Sequence, residues 1–353
     1  MKRTVSLLLA LALLCSPASA AGAPDISAGS AILIHADSGE TLFERNADER
    51  RLIASTTKIM TALVALESCA LDERVRVDAR AAGVEGSSMY LREGEVLTVE
   101  ELLYGLLLVS GNDAASALAI HVSGSEAGFA ALMNAKAREL GLRNTHFTNP
   151  HGLDGEGHYS SARDLALIAA AALENEDFAR IASTRSKSVN GRVLVNHNRL
   201  LREYPGCTGV KTGYTRAAGR ALVSSAERGE TRLICVTLSD PDDWRDHAAL
   251  LDWGFENWEY RLVAGPETLF RIPAAGCGAE YIAAAPEEEL YALLGLGEEP
   301  ELELELAPFV IAPVSEGETV GRVRVLLGGE LLGECAVAAR GNLAGAFTGA
   351  ARR

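Results

Sequence analysis

The spacing of hydrophobic positions changes character several times along the chain. Ala31 to His35 and Thr41 to Phe43 are short apolar-rich runs flanking Asp37-Ser38-Gly39-Glu40, which predicts a β-hairpin. Lys58 to Glu67 is patterned as a helix, with Ser55 just ahead of it, and Val75 to Asp78 reads as a short strand. Thr98-Val99-Glu100-Glu101 places a hydroxyl three residues before a carboxylate, a capping pattern that opens a helix over the apolar run Leu102 to Val109. Asp113 to His121, Glu126 to Leu140 and Ser161 to Leu173 read as alanine-rich helices. Around Val193 the pattern changes. Gly209-Val210-Lys211, Arg220 to Ser225 and Thr231 to Leu238 read as strands, and Arg245 to Phe255 returns to helix. A strand pair, a cluster of helices, then strands and a helix predict an α+β layering.

Beyond about residue 265 helical patterning fades and acidic residues accumulate, as in Glu287-Glu288-Glu289. The alternation from Glu301 to Leu306 predicts a half-buried strand with one solvated acidic face. Val320 to Leu327 and Leu331 to Val337, joined at Gly328-Gly329, carry the pattern of a tight hairpin. Residues 265–340 are therefore expected to form a small all-β domain. Trp253, Phe255 and Trp258 are expected to pack at a helix end rather than to form a platform for sugars.

Composition narrows the function classes. A chain of 353 residues with 48% hydrophobic and 23% charged content belongs among globular proteins of one or two domains. The 33 Lys and Arg against 48 Asp and Glu, net −15, speak against holding nucleic acid or an anionic lipid surface by bulk charge. The first twenty residues read as an export signal: Lys2 and Arg3, an apolar run from Val5 to Cys15, and the small residues Ala18-Ser19-Ala20. The apolar run is too short to span a bilayer. Its removal takes away two cations and one of the six cysteines, leaving an odd number. Spacing leaves open whether Cys277 and Cys335 pair. His146, His151, His158 and His197 show no His-x-x-x-His pair, and the cysteines show no Cys-x-x-Cys, so neither a metal, a cofactor nor a catalytic histidine is expected.

Three short motifs carry the chemistry. Ser55-Thr56-Thr57-Lys58 puts a hydroxyl and an amine on one helix face, where a lysine of lowered pKa could take the serine proton. Ser110-Gly111-Asn112 offers a hydroxyl for proton relay and an amide for a substrate peptide group. Lys211-Thr212-Gly213 ends a strand and offers a cation, a hydroxyl and an unobstructed backbone edge to an extended peptide with a terminal carboxylate. Singly, these read equally as a helix cap, a turn and a strand end. In this order they form the set found in penicillin-binding proteins and class A β-lactamases.

With that set in place, the chain resembles the low-molecular-mass penicillin-binding proteins acting as D-alanyl-D-alanine carboxypeptidases, serine peptidases of the S11 type. The resemblance covers roughly residues 25–340. It includes Pro150-His151-Gly152-Leu153, His158 to Leu165, and Tyr204-Pro205-Gly206 leading into Gly209 to Thr215. Asp243-Trp244-Arg245-Asp246 and the end region resemble the sporulation-associated branch. The resemblance implies a transpeptidase-like domain over 21–264, an antiparallel sheet flanked by helices, ahead of the small β domain and a tail, 341–353. Family members usually end in a membrane-seeking amphipathic helix; this tail has only Leu343 and Phe347 as large apolar residues, and no convincing anchor is expected.

The resemblance further implies Ser55 as nucleophile, Lys58 as its proton acceptor and Ser110 as the shuttle to the leaving group. Asn112 would bind the substrate amide. Lys211 would keep Lys58 deprotonated, and Thr212 and Arg245 would read the carboxylate. Gly213 would leave the strand edge open, and the backbone N–H groups of Ser55 and Tyr214 would form the oxyanion hole. The implied substrates are peptidoglycan stem peptides, with β-lactams as inhibitors. A D,D-endopeptidase and a non-catalytic wall-binding protein are the alternatives. A class A β-lactamase would carry Glu-x-x-Leu-Asn between Asn112 and Lys211, and none occurs there.

Overall fold

The computed structural model describes residues 22–345. The expected export signal with Cys15, and the tail beyond 345 with Phe347, lie outside the described residues. The chain divides into two compact units, Ala23–Glu256 and the part from Asn257 onward.

The first unit begins with β1 (Ser30–His35), β2 (Thr41–Arg45), a 3-10 turn (Ala54–Thr57), α1 (Lys58–Ser68), β3 (Arg74–Arg76) and β4 (Val96–Thr98). The helical layer follows: α2 (Val99–Leu108), α3 (Asn112–Ser123), α4 (Glu126–Glu139), α5 (Ala162–Leu173) and α6 (Glu176–Ala182). Then come β5 (Ser186–Val189), β6 (Arg192–Val195), α7 (Leu200–Glu203), β7 (Cys207–Thr215), β8 (Gly219–Arg228), β9 (Thr231–Leu238) and α8 (Asp243–Asn257).

Five strands make an antiparallel sheet in the order β2-β1-β9-β8-β7. The central strands β1, β9 and β8 are buried along most of their length because both faces of the sheet are covered. Alternate residues serve opposite faces. Ile32, Ile34, Ile234 and Val236 join the helical core with Ile59 of α1, Leu102 of α2 and Leu165 of α5. Their neighbours Ala31, Leu33, Leu233 and Cys235 pack with Leu250 and Leu251 of α8. Phe43 meets Trp253 edge-on at 6.1 Å, so this tryptophan near the end of α8 packs against the sheet, as expected for packing at a helix end. The strand β7 lies at one end of the sheet.

Local signals explain most helix starts. Thr98 Oγ1 accepts from Glu101 N at 3.1 Å and Glu101 Oε2 accepts from Thr98 N at 2.8 Å, closing the expected capping box. Ser161 caps α5 by accepting from Asp164 N at 3.1 Å. The strand expected at Val75 to Asp78 is Arg74–Arg76, and it pairs with β4. The β5–β6 hairpin turns at Asn190-Gly191, both at positive φ (45° and 78°).

The second unit is all β: β10 (Trp258–Ala264), β11 (Phe270–Ala275), β12 (Tyr281–Pro286), β13 (Leu290–Gly295), β14 (Glu301–Leu306), β15 (Val310–Ile311), β16 (Thr319–Leu327) and β17 (Glu330–Ala339). β10 pairs with β13, and the remaining six form one sheet, β14-β16-β17-β12-β11-β15. β16 and β17 turn at Gly328-Gly329, both at positive φ, as the pattern predicts. β14 departs from expectation. It is an edge strand exposed on both faces, with Leu302 and Leu304 at 39% and 42% exposure, and Leu306 alone packs on the core. Its acids are held by the neighbouring strand instead, Glu305 and Glu303 by Arg322 and Arg324. Cys277 and Cys335 are free thiols, as are Cys69, Cys207 and Cys235. Among the described residues no helix is long and apolar enough to cross a membrane.

Candidate active site

The 3-10 turn runs directly into α1, so Ser55 and Lys58 share one side of the chain. Thr56 and Thr57 tie the turn down by donating to Ile53 O (2.6 Å) and Ala54 O (2.8 Å). Lys58 Nζ lies 3.0 Å from Ser55 Oγ, 2.7 Å from Asn112 Oδ1 and 2.6 Å from His151 O. The lysine is fully buried. Burial and, secondarily, the charge of Lys211 hold its pKa well below the ordinary lysine range. A neutral amine fits these partners. Its two N–H groups satisfy the two carbonyl oxygens, and its lone pair is left for the Ser55 hydroxyl.

Ser110 and Asn112 sit where α2 gives way to α3. Ser110 takes a left-handed conformation (φ 60°) and is buried but for its face on the cleft. Asn112 N donates to Ser87 O at 2.7 Å and its Nδ2 to Glu85 O at 2.5 Å, so the amide is clamped between the 85–87 loop and Lys58. Asp113, fully buried, fixes the next stretch of that loop by accepting from Ser88 Oγ, Met89 N and Leu91 N.

The third motif lies on β7. Lys211 is buried, donates from Nζ to Thr212 O at 2.8 Å, and is pushed down by burial to a pKa of about 7. Gly213 lies against the turn that carries Ser55: a Cβ there would come within 3.1 Å of both Ile53 O and Ser55 N. A side chain there would press on that turn, and glycine lets the strand approach it closely. Ser55, Ser110, Thr212, Gly213 and Tyr214 line one cleft of about 300 Å³, joined by His197, Arg220, Asp243 and Trp244.

Arg245 is not brought there. It lies at the start of α8, 63% exposed, and its guanidinium is taken by Asp242 (3.2 Å) and Asp246 (3.1 Å), the acids beside it in sequence. Arg220 occupies the cleft instead. It stands across the ladder from Tyr214, pairs with Asp243 at 2.9 Å and lies 5.6 Å from the Trp244 ring centre. No motif marks Arg220, and none marks the His151 carbonyl. Both are set by strand register and loop path.

The histidines have other work. His158 Nε2 lies 2.8 Å from Thr57 Oγ1, and burial lowers its pKa to about 4. His151 reaches the site through its backbone, and His146 Nδ1 meets Gly157 O. His197 lines the cleft, its pKa lowered by burial and by Lys211.

Comparison with known proteins agrees with this geometry. The family model of peptidase S11, D-alanyl-D-alanine carboxypeptidase, matches residues 17–242. The D-alanyl-D-alanine carboxypeptidase DacF of Bacillus subtilis is 38% identical over 330 residues, 89% of this chain and 85% of that protein. DacC of Escherichia coli, which carries the same enzyme name, is 36% identical over 338 residues, 87% and 82% of the two chains. The crystal structure of penicillin binding protein 6B from Escherichia coli superposes with a TM-score of 0.73 at 29% identity, covering 91% of this chain and 98% of that one. A buried lysine on a helical serine, a serine-asparagine turn and a lysine-threonine-glycine edge strand, carried by a chain matched over most of its length, make this protein a member of the S11 family of serine peptidases, the D-alanyl-D-alanine carboxypeptidases.

Proposed function

We propose that the enzyme removes the terminal D-alanine from peptidoglycan stem peptides ending in D-Ala-D-Ala, by way of an ester on Ser55. The observation that carries this reading is the placement of Lys58 Nζ, buried and 3.0 Å from Ser55 Oγ. Lys58 takes the hydroxyl proton as Oγ attacks the carbonyl carbon of the penultimate residue. The N–H groups of Ser55 and Tyr214 receive the developing oxyanion, with Gly213 letting strand and turn close on each other. As the C–N bond breaks, Ser110 gives its proton to the departing amine and takes in its place the one held by Lys58, which leaves the lysine neutral again. Water then cleaves the ester, its proton returning by the same lysine, and Ser55 is restored.

Substrate reading follows from the same cleft. Asn112 Nδ2, one of whose hydrogens is held by Glu85 O, has its second N–H left for a peptide carbonyl, and Thr212 offers its hydroxyl to the terminal carboxylate. Lys211 titrates near neutrality, and an entering carboxylate favours its protonated form. Arg220, rather than Arg245, is the guanidinium available to that carboxylate. A β-lactam presents its acyl carbon to the same hydroxyl. The first twenty residues act as the export signal that brings the enzyme to its substrate outside the cytoplasm.

The test is release of D-alanine from a pentapeptide with a free terminus, compared with cleavage of a cross-linked dimer. Faster release from the free acid, lost in Ser55→Ala, supports the carboxypeptidase reading. Preferential cleavage of the dimer supports an endopeptidase.

A further inference from the structure

Three side chains unused by the catalytic site meet at the opposite ends of two of its helices. Cys69 follows α1 directly and caps it, its N–H donating to Ala65 O at 3.0 Å. Glu73 lies just before β3, its backbone fixed by Glu73 N to Ala70 O (3.1 Å) and Val99 N to Glu73 O (3.0 Å). His121 is in the last turn of α3. Their thiol, carboxylate and imidazole ligand atoms all lie within 4.8 Å of one another. Glu73 Oε1 stands 2.8 Å from His121 Nε2. Cys69 and His121 are half-buried, and Glu73 opens the cluster to solvent.

We propose that Cys69, Glu73 and His121 form a binding site for a borderline-soft divalent transition metal, Zn²⁺ being the best match. Thiolate, imidazole and carboxylate are the donors zinc takes, whereas magnesium and calcium avoid sulfur. Three protein ligands leave a fourth tetrahedral position for water. On binding, the thiol proton leaves to solvent and the metal accepts electron pairs from Sγ, the neutral ring nitrogen and one carboxylate oxygen. The hydrogen bond now joining Glu73 and His121 is replaced by metal bonds. Ligand atoms of a tetrahedral zinc site stand roughly 3–4 Å apart, so side-chain rotation suffices to close the set.

The position gives the site a role. α1 opens with Lys58 and α3 with Asn112, the two residues that share a hydrogen bond in the cleft. A metal on Cys69 and His121 clamps the other ends of both helices, about 16 Å away along α1. It therefore takes no part in the reaction and acts on stability and on the alignment of the two helices.

The test is a Co²⁺ titration of the full chain under reducing conditions, with Zn²⁺ as competitor. One equivalent of cobalt is expected to bind with a thiolate-to-cobalt charge-transfer absorption, to be displaced by zinc, and to raise the thermal midpoint. Cys69→Ser should abolish the absorption, and His121→Ala should weaken binding at least tenfold. Unchanged penicillin acylation by Cys69→Ser shows that the variant is folded, so a lost band then reports the ligand alone. Absence of any stoichiometric band in the parent overturns the site, as does a band that survives Cys69→Ser by residing on another cysteine. Either negative result leaves the reading of Ser55 untouched.

Discussion

Gly152 packs directly onto the carbonyl of Ala54, with φ at +87° and no space for a side chain between them. A Cβ on Gly152 would overlap Ala54 O and come within 2.9 Å of Thr57 Oγ1. The same loop supplies the His151 carbonyl that holds Lys58. Gly152→Ala is therefore expected to shift the turn that carries Ser55. Penicillin acylation should fall more than tenfold and stability by about 1–3 kcal/mol. Stopped-flow acylation and urea unfolding check both, and a variant with parent-like acylation would show that the turn tolerates displacement.

Asn112 Oδ1 is an uncharged partner of the Lys58 amine. Asn112→Asp would place a carboxylate where the amide oxygen now stands, 2.7 Å from Nζ. The parent's acylation rate should rise with pH through the depressed lysine pKa and then level. In Asn112→Asp the neighbouring anion favours the ammonium, so the rising limb should move to higher pH by at least about one unit. Lys58→Arg should be inactive, because guanidinium stays charged. A pH profile that keeps its position in Asn112→Asp would separate the rising limb from Lys58.

Lys211 links pH to stability. Its pKa falls to about 7 in the fold, from 10.5, because burial disfavours the ammonium. Between those values the unfolded chain binds the proton and the folded one does not, so stability rises with pH across this window. Relative to Lys211→Met, the parent should gain on the order of 4 kcal/mol between pH 7 and 10.5. Urea midpoints at the two ends measure the difference. Parallel stability curves would mean that Lys211 stays protonated in the fold.

Arg220 should control the preference for a free terminus. Arg220→Ala is expected to slow cleavage of a D-Ala-D-Ala acid about ten- to a hundredfold while leaving the corresponding amide nearly unaffected. Arg245→Ala should change that ratio little, because its guanidinium is held by Asp242 and Asp246 outside the cleft. The reverse ranking would return the carboxylate to Arg245.

The distinction between these arginines marks where the sequence stops being legible. Local signals were readable: the Thr98–Glu101 box, the Asp37–Glu40 turn, the glycine pair at 328–329, and three motifs whose order constrains one another. The Asn190-Gly191 turn was equally local, but its four-residue strands contain Lys187 and Arg192 and lack an apolar alternation. Arg220 reaches the cleft only through the β7–β8 register, which depends on pairing rather than on neighbours in sequence. The His151 carbonyl is a backbone group with no side-chain signature. Cys69, Glu73 and His121 come from three segments, with a spacing that matches no metal motif. β14 misled because alternation predicts a covered face, whereas its place at the sheet edge leaves Leu302 and Leu304 in solvent.

The central claim is that Ser55, activated by Lys58, is the acylated nucleophile. The most direct measurement is mass mapping of the stable adduct formed with penicillin, on the parent and on Ser55→Ala. One penicilloyl group on the peptide containing Ser55, absent from a folded Ser55→Ala protein, is the expected result. An adduct on another residue, or labelling that survives Ser55→Ala, would contradict it.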